Sequence, residues 1–452
     1  MLYSSEVENE ITDSVFRHKT PDYIGATVSE FAFHGCEVMM RDQPLLDQLR
    51  MIHFDLAIID AFPLAPCASI VPHHLGIPFI TKDASPLAVH QPLFPAFIPH
   101  SNLHLSHKMY FWERVENAIV LLMELYGLAS PSINDLTLLK KFSPCLVDWN
   151  ELLRLALLHI STTDHHLSYP TPVLANHVQL PGVTWRNTRP LNNPIFRFMD
   201  LAPEGAVVVS FGSSVHSLPP RYLKTLFSAF QNFSGLVFYL KLDQQIIHSV
   251  DVPRNVLPLS WLPLNDLLGH PRTKLFISHC GRSVLHESVF HGVPVMCIPL
   301  FKEDEINTQN VVYLGLGKHV DIFTASAKTL KDTTSELLRN EMYQKNVKRI
   351  SLMLKSHKFN PTETVAFWVE HVLKFGGSHL RSEAMNMTSA QFAMLDIALA
   401  FFVLFSCLFC EMYRFCSVCW CRCYRTKGIA TFTTKRDGMN ALYSSGRKDS
   451  NC

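Results

Sequence analysis

Twenty-four residues near the middle of the chain restrict the possible folds more than any other stretch. Leu275-Phe-Ile-Ser278 is a short apolar run of strand type, stopped by His279-Cys280-Gly281. Arg282 to His291 then takes helical spacing: Val284, Leu285, Ser288, Val289 and Gly292 share one face, and Ser283 and Glu287, four apart, lie on another. Gly292 ends the helix, and Val293 to Ile298 is a second buried strand. Parallel strands joined in this way put the intervening turn at the carboxyl edge of a sheet, where ligands bind. A helix that starts just after His279 and Gly281 offers free backbone N–H groups and a positive dipole end to an anion, most usefully a phosphate. Glu287 sits one turn further in, where a carboxylate can grip sugar hydroxyls.

The same block extends to Trp261 on one side and to Glu303-Asp304 on the other. As a whole it resembles the donor-binding signature of the UDP-glycosyltransferases, the family that includes the membrane-bound glucuronosyltransferases. The resemblance implies that Trp261 stacks on uracil, that His279, Gly281 and Ser283 meet the diphosphate, and that Glu287 holds the ribose hydroxyls. The family's sugar-binding Asp-Gln pair reads Glu303-Asp304 here. Each residue also has a plainer reading: a Trp beside Pro263 as packing, a strand-end His as the partner of a carbonyl. It is their joint order that points to a nucleotide site. This sequence departs from the family pattern at Leu264, which stands for Gln, at Cys280, which stands for a glycine, and at Asp304, which stands for Gln. Cys280 is expected to add bulk beside the phosphate. Two acids at the sugar are expected to disfavour glucuronate relative to glucose.

Upstream, Phe54 to Asp60 is a buried strand, Ala61 to Cys67 its loop, and Ile77 to Thr81 another strand. FDLAIIDAFPLAPC resembles the family's first domain, which makes Asp60 the acid that orients a catalytic histidine; an Asx-turn or helix cap is the alternative. The histidine itself is assigned to no residue, since His34, His73, His74 and His90 match nothing in the pattern. Met1 to Thr20 has no apolar leader, so the chain is expected to start late relative to its relatives. Lys108 to Leu128 has helical spacing, and one strand is expected between Leu153 and Gly182. Ala206 to Ser213 opens the second domain, with Ser213 facing the diphosphate across from His279 by resemblance.

Of 452 residues, 17% are charged and the formal net charge is +1, which leaves no electrostatic footprint for nucleic acid. The apolar excess gathers at Phe392 to Tyr413, followed by Arg414, Arg422, Arg425, Lys427, Lys435 and Arg436, the pattern of a span with a cytosolic tail. The twelve cysteines suggest no disulfide framework: seven fall at or after Cys407, and the others are scattered. Asn232-Phe-Ser and Asn386-Met-Thr are sequons that matter if the body is lumenal.

The resemblance implies a GT-B architecture, an α/β class with two Rossmann-like domains facing across a cleft. The expected layout is an acceptor-binding domain over 1–183, a linker over 184–201, a UDP-sugar domain over 202–390, a transmembrane helix over 391–413 and a cytosolic tail over 414–452. The implied reaction moves glucuronic acid or glucose from a UDP-sugar to a small lipophilic acceptor with inversion, with no cofactor and no metal, at the endoplasmic reticulum membrane. Homo- or hetero-oligomers are open. The alternatives are an inactive UDP-sugar-binding relative that pairs with an active subunit, and a lipid-binding module.

Overall fold

A computed structural model describes residues 15–16, 33–61, 66–100, 103, 105–125, 136–163, 165–180, 182, 185–212, 215, 218–248, 250–356 and 360–433. The chain divides into two compact units, Met1–Asn386 and Met387–Cys452.

The first unit holds two parallel sheets. The smaller runs β1 (Ala57–Asp60), β2 (Phe79–Lys82), β3 (His159–Ser161) and β4 (His177–Gln179), side by side in that order. The larger comprises β5 (Gly205–Ser210), β6 (Leu236–Lys241), β7 (Val256–Leu259), β8 (Thr273–Ser278), β9 (Val295–Cys297) and β10 (Gly317–His319), in the order β10-β9-β8-β5-β6-β7. The helices used below are α1 (Phe111–Leu125), α2 (Leu264–Leu268), α3 (Arg282–His291), α4 (Lys302–Tyr313), α5 (Glu341–Lys355), α6 (Pro361–Phe375) and α7 (Leu395–Thr433).

β5 shows why its sequence, Gly-Ala-Val-Val-Val-Ser, makes a central strand: every residue is buried. Successive side chains point to opposite faces, so Val207 and Val209 enter one core while Ala206 and Val208 enter the other. A strand buried on both faces has to be apolar throughout. Each such valine contributes about 2 kcal/mol of burial. β8 repeats the arrangement, with Leu275 and Ile277 on one side and Phe276 on the other. The order of β10-β9-β8-β5-β6-β7 reverses between β5 and β8. That is the doubly wound order, and its switch point lies where those two neighbours end.

α6 returns to the smaller sheet. Its Val372 is buried with Ile80, Leu158, Ile160 and Leu180, and Trp368 and Val369 pack beside it.

Three local expectations need correcting. The stretch from Leu153 to Gly182 carries two strands, because a prolyl segment separates β3 from β4 and hides the short second one. The supposed linker contains a helix, Asn193–Asp200, whose N-cap Asn192 accepts from the Ile195 amide. Ile195 and Met199 of that helix lie in the core of the larger sheet, and the Tyr239 hydroxyl donates to the Ile195 carbonyl at 2.7 Å. The cysteines do form disulfides, Cys36–Cys67 and Cys280–Cys297, with Cα–Cα distances of 6.1 and 5.4 Å. Partners 31 and 17 residues apart leave no spacing signal to read.

In the second unit α7 runs unbroken for 39 residues. Leu395–Trp420 is long and apolar enough to cross a membrane, by length and composition.

Candidate functional site

The switch point is built around the imidazole of His279. β5 and β8 pair in parallel, Ser210 against Ser278, and deliver Gly212 and His279 to the same edge. Gly212 has φ 84°, and a Cβ there would lie 2.7 Å from the ring Cε1 of His279. A Cβ on Gly281 would also run into the ring. The imidazole therefore occupies space that only two glycines leave open. Its Nδ1 lies 3.3 Å from the Ser278 hydroxyl. Burial first, and then the Lys241 ammonium, hold His279 down to about 4, against a backbone hydrogen bond with Ser210 that works the other way. His279 is thus neutral at pH 7. Lys241, at the carboxyl end of β6, donates to the Gly212 carbonyl and brings a positive charge to this edge. Sequence reasoning missed it; the available signal was a lysine closing an apolar strand.

α3 begins here with Gly281 as its N-cap, so no side chain caps the first turn. Ser283 is exposed on that turn and Glu287 is half-buried one turn on. Burial raises the Glu287 carboxyl to about 7; Arg186 opposes the shift and Asp266 adds to it. Arg186 is held in a fork by Asp266, at 2.7 and 2.8 Å, which ties the strap before the Asn193 helix to α2. Trp261, just after β7, is 76% exposed and presents an open ring. Leu264 starts α2 and packs against the core of the larger sheet, which gives its apolar side chain a role in place of a polar contact. Ser213 lies outside the described residues.

Two expectations about this edge change. The Cys280 side chain adds no bulk beside the anion position, because it is fully buried and bonded to Cys297. Asp304 has no exposed surface, and its Oδ2 accepts from the backbone N–H groups of Leu300 and Phe301 at 3.2 and 3.0 Å. Burial, with Glu303 beside it, pushes the Asp304 carboxyl well above the usual range. Asp304 therefore faces the backbone and offers no surface to a sugar. Glu303 is half-buried and raised by burial, with Arg282, Asp83 and Lys82 all near enough to act on it.

The smaller sheet supplies the facing edge. Asp60 closes β1, and its Oδ2 accepts from Lys82 at 2.7 Å. Its Oδ1 is buried and has no partner among the described residues. Burial works to lower the Lys82 ammonium, but Asp60 and Asp83 outweigh it, so Lys82 is raised and stays charged. Asp83 follows β2 with a φ of 52°. It accepts from the Thr162 amide at 2.8 Å and from Arg282, the first residue of α3, at 3.2 Å. No histidine is bonded to Asp60 among the described residues. His34 is exposed on a helix, and His90 Nδ1 meets the Ala384 carbonyl at 2.7 Å.

Two parallel α/β sheets, the larger doubly wound with a phosphate-type turn at its switch point, define a GT-B glycosyltransferase. Solved structures share this fold: Os79 from O. sativa in complex with UDP superposes with a TM-score of 0.55 at 17% identity, covering 78% of this chain and 86% of that one. A UDP-glucosyltransferase from Polygonum tinctorium gives 0.54 at 17% identity, over 76% of this chain and 82% of its own. The family described as UDP-glucoronosyl and UDP-glucosyl transferase matches residues 3–430, and the chain belongs to it. Mouse (Mus musculus) UDP-glucuronosyltransferase 1A1 is 26% identical over 408 residues, 88% of this chain and 75% of the relative. Human (Homo sapiens) UDP-glucuronosyltransferase 1A8 is 28% identical over 374 residues, 81% of this chain and 69% of the relative.

Proposed function

We propose that this protein transfers glucuronic acid or glucose from a UDP-sugar to a small lipophilic acceptor, inverting the anomeric carbon. The observation that carries this reading is the His279 turn: a neutral imidazole, an uncapped helix start and the Lys241 ammonium converge on one edge. Trp261 stacks on uracil there and Glu287 takes the ribose hydroxyls. The diphosphate lies against His279, Gly281, Ser283 and Ser213. The acceptor oxygen attacks the anomeric carbon while its proton passes to a base oriented by Asp60, a role supported by its Oδ1 having no partner among the described residues. The negative charge that builds on the departing UDP is met by the α3 amides, His279 and Lys241. The reading calls for no metal and no cofactor. Glu303 approaches the donated sugar, while the Asp304 carboxyl is turned to the backbone of Leu300 and Phe301.

The protein sits in the endoplasmic reticulum membrane through α7, with its body in the lumen and its basic tail in the cytosol. Two disulfides in residues 1–386 support folding in an oxidising compartment; Cys145 in that stretch is free and exposed, as are Cys407, Cys410, Cys416 and Cys419 of α7. The test is full-length protein in detergent, a planar phenol as acceptor, and UDP-glucuronate or UDP-glucose as donor, with glycoside formation measured. Glycoside from either donor supports the reading. UDP binding without product would establish an inactive UDP-sugar binder instead.

A further inference from the structure

We propose that the Cys280–Cys297 disulfide is the positioning element of the diphosphate turn, holding His279 and the start of α3 in their donor-binding arrangement. Cys280 stands between His279 and Gly281 with φ 66°, a conformation that residues with a Cβ disfavour. Left to its own preference, this residue would rotate out of the left-handed region and carry the turn with it.

Three contacts hold it in place. Its Sγ is bonded to Cys297, the last residue of β9, whose partner across the parallel ladder is Ser278. Its N–H donates to the Ser278 hydroxyl at 3.2 Å, and its carbonyl accepts from the Asn307 side chain of α4 at 3.0 Å. The bridge spans 17 residues, and the loop it closes contains all of α3, with Ser283 and Glu287 inside it. Both cysteines are fully buried, so the bond fastens the turn from the core side and leaves the anion side open. A glycine at 280 would reach the same φ with no bridge. The disulfide thus does covalently what a glycine does by freedom.

The part of the inference that concerns donor affinity rests on the reading of this edge as a UDP-sugar site; the part that concerns the turn does not. The test uses full-length protein in detergent with the variants C297A and C280G/C297A, UDP as the probe, and two readouts. These are UDP affinity and amide hydrogen exchange over residues 278–285. C297A should weaken UDP binding about tenfold and speed exchange in that segment, as expected when a disfavoured φ loses its restraint. C280G/C297A should return both readouts to within about threefold of wild type, since glycine needs no restraint.

Wild-type exchange in C297A overturns the proposal. So does a double variant as impaired as C297A, because the bridge would then act through core packing alone. If the wild-type protein fails to bind UDP, the donor reading falls while the exchange comparison still decides the turn. If C297A does not fold, the wild-type protein treated with TCEP to full reduction carries the same exchange comparison: faster exchange over 278–285 supports the proposal, and unchanged exchange overturns it.

Discussion

His279 owes its position to what its neighbours lack. A methyl group at Gly212 would press on the ring, so Gly212→Ala should weaken UDP binding nearly as much as His279→Ala. Loss of the imidazole should cost about 10²-fold in turnover, the scale of one preorganised donor to a developing anion; steady-state kinetics on both variants check this. Glu287 adds a pH dependence. With its carboxyl raised to about 7, it is protonated below that pH and ionised above it, and only the ionised form accepts from both ribose hydroxyls. UDP affinity should therefore fall as pH drops from 8 to 6, and Glu287→Gln should flatten the profile. A flat wild-type profile by calorimetry would remove Glu287 from the ribose.

At the scale of elements, the strand–turn–helix–strand unit was legible because its signals are local. The apolar run, the Gly281 start and the Gly292 stop place α3 at Arg282–His291, and Gly292 takes φ 73° as a helix-ending glycine does. Long-range partners left no such trace: the Cys280 bridge, the grip of Lys82 on Asp60 and the approach of Lys241 to His279 all join separate elements. The burial of Asp304 against the backbone was also hidden, since an acid pair reads the same in sequence whichever way it faces. The smaller sheet carries its own surprise in His159 of β3 and His177 of β4, both buried. Burial holds them down to about 3 and about 4. Unfolded, each would take up a proton below about 6.5, while folded it stays neutral. Stability should therefore fall as pH drops through 6.5 and keep falling toward 3, by roughly 2 kcal/mol at pH 5 for His159. Thermal melts of wild type and His159→Phe across pH 5 to 7.5 test this: the variant should lose part of the acid dependence.

For the whole molecule, the lumenal reading makes a prediction about sugars attached to the protein itself. Asn232 and Asn386 are both exposed, so in cells both should carry N-glycans, and Asn→Gln at either should remove one endoglycosidase-sensitive step in gel mobility. A chain with no such step would have its body on the cytosolic side. The Asp83 carboxylate, finally, ties the two sheets of the first unit together, since it holds Thr162 from one and Arg282 from the other. A nucleotide that draws Arg282 toward its phosphates loosens the acceptor edge, and an acceptor that resets Thr162 acts on the donor helix in return. Thermodynamic reciprocity makes the two effects equal. One side chain is therefore a lever between the two substrates, and Asp83→Asn should shrink the change that each one's presence makes in the other's affinity, read by calorimetry.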